Sequence, residues 1–259
     1  MDEILKTSVG EMGLADFDCS CGRHHKMNIQ KLVMGKGVLH QITEIAQPFR
    51  EGPILMVSDQ NTFQAAGKRV LEYLEEDGFS VKSLMFDSKD QILIPDESIV
   101  GKVLLHMEKE TKLLIGVGSG SINDTVKYIS SRTGVPYVIV CTAPSMDGYV
   151  ADGAPLILEG KKISFPAALP YGVLGDTDVM RQAPERMIQA GFGDVLGKLT
   201  ALADWSLAKQ LRGEYYCQTC VTLVQRALQK VLDHADGLAK REDDAVLYLI
   251  EALNLTGVA

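Results

Sequence analysis

Short apolar runs alternate with helical patterns through the first two-thirds of this chain, and that alternation restricts the fold more than any other feature. ILMVSD (Ile54 to Asp59), VKSLMF (Val81 to Phe86), LLIGVG (Leu113 to Gly118) and VPYVIVCT (Val135 to Thr142) read as strands. Helical stretches are predicted from Thr62 to Glu76, from Pro95 with acidic residues opposing the dipole, and through SINDTVKYISS. Strands that are almost wholly apolar and separated by helices imply a parallel sheet covered on both faces. An earlier strand is expected at Ile29 to Gly35, with a helix after Gly37. Beyond Pro155, LILEGKKISFPA reads as a hairpin turning at Glu159-Gly160, and Gly172 to Asp176 as one more strand.

After Pro184 the strand signals stop. Three amphipathic patterns follow, from Asp194 to Leu211, Tyr215 to Ala239 and Glu242 onward, with breaks at Arg212-Gly213 and around Gly237. The expected class is therefore α/β followed by all-α. A Rossmann-like, dinucleotide-binding parallel-sheet domain covers residues 1–183, and a helical metal and substrate domain covers 184–259. The last pattern keeps its apolar period to Ala259 without a polar tail, so it is expected to stop short of a domain end.

Composition narrows the function classes. A length of 259 residues, at ~150 per domain, allows one to two domains. The formal charge of −8 argues against non-specific binding to nucleic acid or an anionic membrane, while leaving room for a local basic cleft. No run approaches the ~18 apolar residues of a membrane span, and the first residues lack a secretory pattern. Five cysteines are an odd number for a disulfide framework, so a reducing cytoplasm is the expected setting.

Three loops carry the candidate chemistry. LLIGVGSGSINDTVKY places Gly116, Gly118 and Gly120, with Ser119 and Ser121 between and after them, at a strand-to-helix turn. There the unpaired first amides of a helix could meet a pyrophosphate, or the glycines could simply make a tight turn. Asp59, ending an earlier strand, suits ribose hydroxyls or a helix N-cap equally well. CTAPSMDGYVADGAP puts Thr142 and Ser145 at the same edge and Asp147-Gly148 toward a cleft, or in an ordinary turn. In GFGDVLGKLTALADW two glycines precede Asp194, which is expected to begin a helix, as a dipole partner or as a metal ligand. A P-loop reading of this segment fails, because Phe192 and Leu199 stand where glycine and Ser or Thr are needed. Lys127 and Lys198 read as solvated helix-face residues.

Taken together, GVGSGSINDTVKY, TAPSMDGYVADGA and GFGDVLGKLTALADW resemble the sn-glycerol-1-phosphate dehydrogenases, most of all their bacterial branch. That group lies within the iron-containing alcohol dehydrogenase and dehydroquinate synthase superfamily. The resemblance implies metal-assisted interconversion of sn-glycerol 1-phosphate and dihydroxyacetone phosphate with NAD or NADP. It implies adenosine ribose at Asp59, pyrophosphate at Gly118, Ser119, Gly120, Ser121 and Ile122, and the nicotinamide side at Thr142 to Ser145. Asp147 would contact the polyol phosphate substrate. Asp194 would bind one divalent metal (zinc, nickel or iron) and, through it, the substrate. The likeness allows a homodimer.

Two departures accompany the resemblance. The serine expected four residues after the substrate aspartate is Ala151 here. The family's two further metal-binding histidines have no match, since only His234 follows Asp194; the chain is accordingly expected to be catalytically incomplete. Dehydroquinate synthases carry Glu with a lysine three residues later where Asp194 and Gly197 stand, which disfavours that activity. Glycerol dehydrogenase, or another polyol dehydrogenase of the superfamily, remains an alternative. So does a zinc-stabilised, non-catalytic binding module built from Cys19, Cys21 and His25 with the pair Cys217 and Cys220. Free cytoplasmic thiols are the ordinary reading of those cysteines.

Overall fold

The structure, a computed structural model, describes residues 4, 7–87 and 92–258. A one-turn helix α1 (Val9–Met12) leads into a small antiparallel hairpin, β1 (Asp16–Asp18) with β2 (His24–Lys26). Neither hairpin strand is marked in the sequence, because three-residue strands with two exposed ends show no apolar period.

The main body is a six-stranded sheet. It comprises β3 (Lys31–Gly35), β4 (Ile54–Asp59), β5 (Val81–Phe86), β6 (Leu113–Gly118), β7 (Tyr137–Cys141) and a last strand, Gly172–Asp176. Between β7 and that last strand stands the expected hairpin, β8 (Gly153–Leu158) with β9 (Lys161–Pro166), which makes the last strand β10. The hairpin turn falls at Glu159 and Gly160, both at positive φ (51° and 75°), as a two-residue turn between twisted strands requires. The order in the main sheet is β3-β10-β7-β6-β4-β5, with every pairing parallel. Alternate residues feed the two faces. Leu55, Val57, Leu114 and Ile139 join one apolar cluster, while Ile54, Met56, Ile115 and Val138 join the other. The four central strands β10, β7, β6 and β4 are dry on both faces, which is why they read as continuous apolar runs, whereas the edge strand β5 exposes Lys82, Ser83 and Met85.

Helices complete the layers: α2 (Ile42–Ala46), then α3 (Gln60–Thr62), a π turn and α4 (Lys68–Glu76), then α5 (Glu97–His106), α6 (Gly120–Thr133) and α7 (Thr177–Met180). They are followed by α8 (Glu185–Arg212), α9 (Gln218–Asp233), α10 (Ala235–Ala239) and α11 (Asp243–Val258). Gly213 ends α8 in the left-handed conformation, and α9 ends at His234 rather than continuing to Ala239. The larger apolar cluster runs without interruption from the sheet into α9 and α11, through Leu228, Val231, Val246, Leu249 and Leu253. Among the described residues, no helix is long and apolar enough to cross a membrane.

One expectation is corrected. The helix carrying Asp194 does not begin there: α8 starts at Glu185, and Gly191 and Gly193 lie inside it. Asp194 sits about two and a half turns into the helix, so it is not an N-terminal dipole partner. The two glycines suggested a helix start because glycine disfavours helix interiors. Here packing overrides propensity. A Cβ on Gly191 would strike the backbone carbonyl of Pro144.

Candidate functional site

In the sheet, the chain passes from β4 outward to β5, then returns to the other side of β4 with β6. The carboxyl ends of β4 and β6 therefore flank the point where the winding direction reverses, which is where open α/β sheets hold their ligands. A groove of about 860 Å³ opens at this point. Asp59 from the end of β4, Ser119, Ser121 and Ile122 from the turn after β6, and Thr142 from the end of β7 line it. The ends of β4, β6 and β7 thus meet at one rim, whereas Asp147 and Asp194 are not among the residues lining the groove.

Each lining residue has a local reason for its place. A Cβ on Gly118 would come within 2.7 Å of Ile122 Cβ and 2.8 Å of its Cγ1, so glycine here lets α6 start directly against the strand. The first helical hydrogen bond runs from Asn123 N–H to Ser119 O, 2.9 Å. The amides of Gly120, Ser121 and Ile122 precede it and have no partner within the helix. Ser119 stands at the N-cap position without a side-chain capping bond. Thr142 N–H donates to Gly118 O at 3.1 Å, tying the second loop to the first.

Asp59 caps its own helix, with Oδ1 accepting from Asn61 N–H at 2.8 Å and Thr62 N–H at 2.9 Å. The same residue lines the groove, so capping and facing a ligand are compatible there. Ser145 is half-buried and is not among the groove-lining residues.

Beside the groove, the loop from Pro144 to Gly148 is held from three directions. Gly191 of α8 packs on Pro144, and Gly257 of α11 packs on the Asp147 carbonyl so closely that neither position has room for a Cβ. From α6, Asn123 Nδ2 donates to Gly148 O at 3.0 Å, while Lys127 Nζ donates to the same oxygen and to Gly153 O at 3.2 Å. Lys127 is fully buried, correcting its reading as a solvated residue. Burial pulls its amine down to about 8 and pushes the nearby Asp124 carboxyl up to about 6, with each group's charge partly opposing the other's shift.

Asp147 and Asp194 meet here. Asp147 N–H donates to Asp194 Oδ2 at 2.8 Å, and Lys198, one turn along α8, forms an ion pair with the Asp147 carboxylate. Lys198 is therefore not a free surface lysine either. Burial raises the Asp194 carboxyl above its usual range, and the neighbouring Asp147 charge adds to the rise. Asn123, Lys127, Lys198, Gly191 and Gly257 all shape this site, and sequence reasoning assigned none of them a role in it. For Lys198 a signal existed: its i, i+4 spacing from Asp194 puts both on one helix face.

The groove fits a dinucleotide in size, in its glycine-opened turn and in its free amides. The surroundings of Asp194 do not fit a divalent metal by themselves. Zinc-type sites take about three protein ligands. Among the described residues, the only grouping of three or more His, Cys, Asp or Glu ligand atoms is Cys19, Cys21, His25 and Cys217, away from Asp194. His234 packs against Tyr248 at the end of α9, 4.6 Å between ring centroids.

A six-stranded parallel sheet with a groove at its winding reversal, followed by a helical region, defines a doubly wound α/β architecture. Residues 33–184 match the iron-containing alcohol dehydrogenase family, and the chain belongs to it. A glycerol-1-phosphate dehydrogenase (NAD(P)+) of Bacillus licheniformis is 35% identical over 242 residues, covering 93% of this chain and 60% of the relative. One from Methanosarcina barkeri is 33% identical over 231 residues, covering 88% and 63%. The chain thus spans about three-fifths of the length of these relatives. Among solved structures, glycerol dehydrogenase from Schizosaccharomyces pombe superposes with a TM-score of 0.75 at 18% identity, covering 88% of this chain and 60% of that one. An archaeal halo-thermophilic Red Sea brine pool alcohol dehydrogenase gives 0.74 at 17%, covering 93% and 66%. At those identities the likeness concerns the fold.

Proposed function

We propose that this chain carries the dinucleotide- and substrate-facing residues of an NAD(P)-dependent dehydrogenase interconverting sn-glycerol 1-phosphate and dihydroxyacetone phosphate. In this reading residues 1–183 form the dinucleotide-binding part, and residues 184–259 bring Asp194 to the substrate side. The observation that carries it is the meeting of the β4, β6 and β7 ends around one groove, with the loop that follows β7 leading to Asp147, which Asp194 holds through its backbone N–H. The kinship with glycerol-1-phosphate dehydrogenases supports the substrate class.

A bound NAD(P) would supply the hydride-accepting nicotinamide for oxidation of the substrate's carbinol carbon. The residues of this chain bind and orient. The amides of Gly120, Ser121 and Ile122, with the two serine hydroxyls, receive the pyrophosphate. Asp59 faces the ribose, and Thr142 bounds the inner side of the groove. The Asp147 carboxylate, steadied by Lys198, accepts a hydrogen bond from a substrate hydroxyl. Asp194 would supply a single carboxylate ligand toward the divalent metal expected in this family, and the residues beside it do not complete a site.

The test is fluorescence titration of the folded chain with NADH and NADPH. Saturable binding is expected, weakened at least tenfold by Ser121→Asp, which sets a carboxylate against the pyrophosphate. An intact far-UV spectrum and thermal transition with no saturable binding to either dinucleotide would overturn the cofactor reading. In the presence of NADH, dihydroxyacetone phosphate should bind much more tightly than unphosphorylated dihydroxyacetone. The opposite order would favour a free-polyol dehydrogenase.

A further inference from the structure

We infer that Cys19, Cys21, His25 and Cys217 hold one structural zinc ion, which fastens the N-terminal hairpin to the start of α9. The four ligand atoms lie within 4.8 Å of one another, although 198 residues separate Cys19 from Cys217. Cys19 Sγ is 3.6 Å from Cys217 Sγ, Cys21 Sγ is 3.2 Å from His25 Nε2, and Cys217 Sγ is 3.7 Å from the same nitrogen. With zinc–sulfur bonds of about 2.3 Å and zinc–nitrogen bonds of about 2.05 Å, a tetrahedron has edges of about 3.8 Å between sulfurs and about 3.6 Å from sulfur to nitrogen. These three separations match those edges to within about half an ångström, and the other three are no longer than 4.8 Å.

The local chain explains how the donors converge. Gly22, at φ 83°, turns the backbone between β1 and β2; its N–H donates to Cys19 O, and Cys19 N–H donates to Arg23 O, both at 3.0 Å. This tight turn brings Cys19 and Cys21 to one end of the hairpin. Phe17 stacks on the His25 ring, 5.3 Å between centroids, and fixes its plane. Cys217 is fully buried at the N-cap of α9. A surrounding polar shell is also in place. Thr219 Oγ1 lies 3.3 Å from Cys19 Sγ, and Tyr215 Oη lies 3.2 Å from Cys21 Sγ. Cys220, one helical turn further on, lies outside the four-atom grouping, so the pair Cys217 and Cys220 expected from the sequence is not the ligand pair.

The hairpin needs such a tie. Its strands are three residues long with alternating exposed ends, and a two-stranded hairpin of this kind is barely stable alone. Three thiols facing one imidazole satisfy one another poorly as hydrogen-bonding groups, whereas three thiolates and an imidazole form a closed, tetrahedral zinc set with no open position. A closed set assigns the ion a structural role, separate from the groove and from Asp194.

Metal analysis of the whole chain, purified without chelator, tests this. One equivalent of zinc per chain is expected, retained in Asp194→Asn and lost in the double variant C19S/C217S. Because that variant could misfold, the native chain supplies a second readout. Replacing zinc by cobalt(II) should give the strong thiolate-to-cobalt charge-transfer absorption and visible bands of a tetrahedral site. Chelation should lower the Tm by several degrees. A reduced, folded chain that binds neither zinc nor cobalt would overturn the assignment. So would a cobalt spectrum without thiolate bands, an iron–sulfur chromophore, or a Cys19–Cys217 disulfide in freshly isolated protein.

Discussion

Gly191→Ala and Gly193→Ala, two residues apart in the same helix, should move stability in opposite directions. In a free helix each exchange favours folding by about 0.8–1 kcal/mol, because alanine loses less backbone entropy. Gly193 is exposed, and a Cβ there would meet nothing within 4 Å, so its variant should keep that gain. At Gly191 the new carbon would fall 2.8 Å from the Pro144 carbonyl carbon, closer still to its oxygen, and 3.2 Å from Leu253 Cδ1. Carbon atoms rest at about 3.5–4.0 Å, so helix and loop must part by roughly 1 Å, and neither backbone can rotate out of the way. Overpacking of this kind costs about 1–3 kcal/mol and, at a backbone-to-backbone contact, the upper end applies. The net expectation is a loss of about 2 kcal/mol for Gly191→Ala against a gain of up to about 1 kcal/mol for Gly193→Ala. At about 2–4 °C per kcal/mol for a chain of this size, the two Tm values should differ by about 6–12 °C. Urea midpoints measure the difference directly. Equal stabilities would refute the close seating of α8 on the Pro144–Asp147 loop, and with it the route by which Asp194 reaches Asp147.

Gly118→Ala should weaken NADH binding about tenfold or more, because its Cβ pushes Ile122 and the first amides of α6 away from the groove; unchanged affinity by titration would contradict that seating. The buried Asp124 carboxyl, pushed up to about 6, binds its proton more tightly in the folded than in the unfolded chain. Stability should therefore fall as pH rises from about 4 to 6, by about 1–3 kcal/mol, and Asp124→Asn should flatten this limb in urea titrations; a limb left intact would sink the assignment. Lys127, pulled down to about 8, gives the opposite slope: its stability cost is largest below about pH 8 and is relieved as pH rises from there toward 10.5, an alkaline limb that Lys127→Met should remove. Lys198→Met should push the Asp194 carboxyl further above its usual range, since Lys198 is the charge that opposes the rise, and carboxyl carbon NMR reads the direction.

The sheet was legible because its central strands are dry on both faces and the edge strand β5 keeps one apolar face. β4, β5, β6 and β10 fall where the apolar runs begin and end, and the Glu159-Gly160 turn is where the hairpin reverses. The loops after β4, β6 and β7 were legible for the related reason that parallel strands deliver their carboxyl ends to a common edge. What escaped was set by tertiary contact rather than local pattern. The start of α8 was hidden because glycines at 191 and 193 weaken any helical reading, and only the Pro144 carbonyl shows what Gly191 is for. Lys127 reads as a surface residue until the carbonyls of Gly148 and Gly153 are found above it. The grouping of Cys19, Cys21 and His25 with Cys217 stood in the sequence only as an alternative, because no spacing rule spans most of the chain, and the exclusion of Cys220 needed the folded geometry.

The position of Asp194 depends on restraint at both ends of a long lever. Only Ile188, Gly191 and Val195 are buried in the 28 residues of α8, so its C-terminal half gains little from a core of its own. From Asp194 to Gly213 the helix extends about 28 Å at 1.5 Å per residue. A tilt of a few degrees at the far end therefore becomes a displacement of an ångström or more along the helix. Contacts near the site and toward the distal end resist it. Gly191 is locked onto Pro144 near the site, and Trp205 Nε1–H donates to Tyr215 O at 2.6 Å toward the distal end. Tyr215 in turn meets the cysteine cluster through Cys21, so the α8–α9 connection is anchored to the N-terminal hairpin rather than to the sheet. The hairpin, which lines no part of the groove, is thus physically continuous with the helix that holds Asp194 against Asp147.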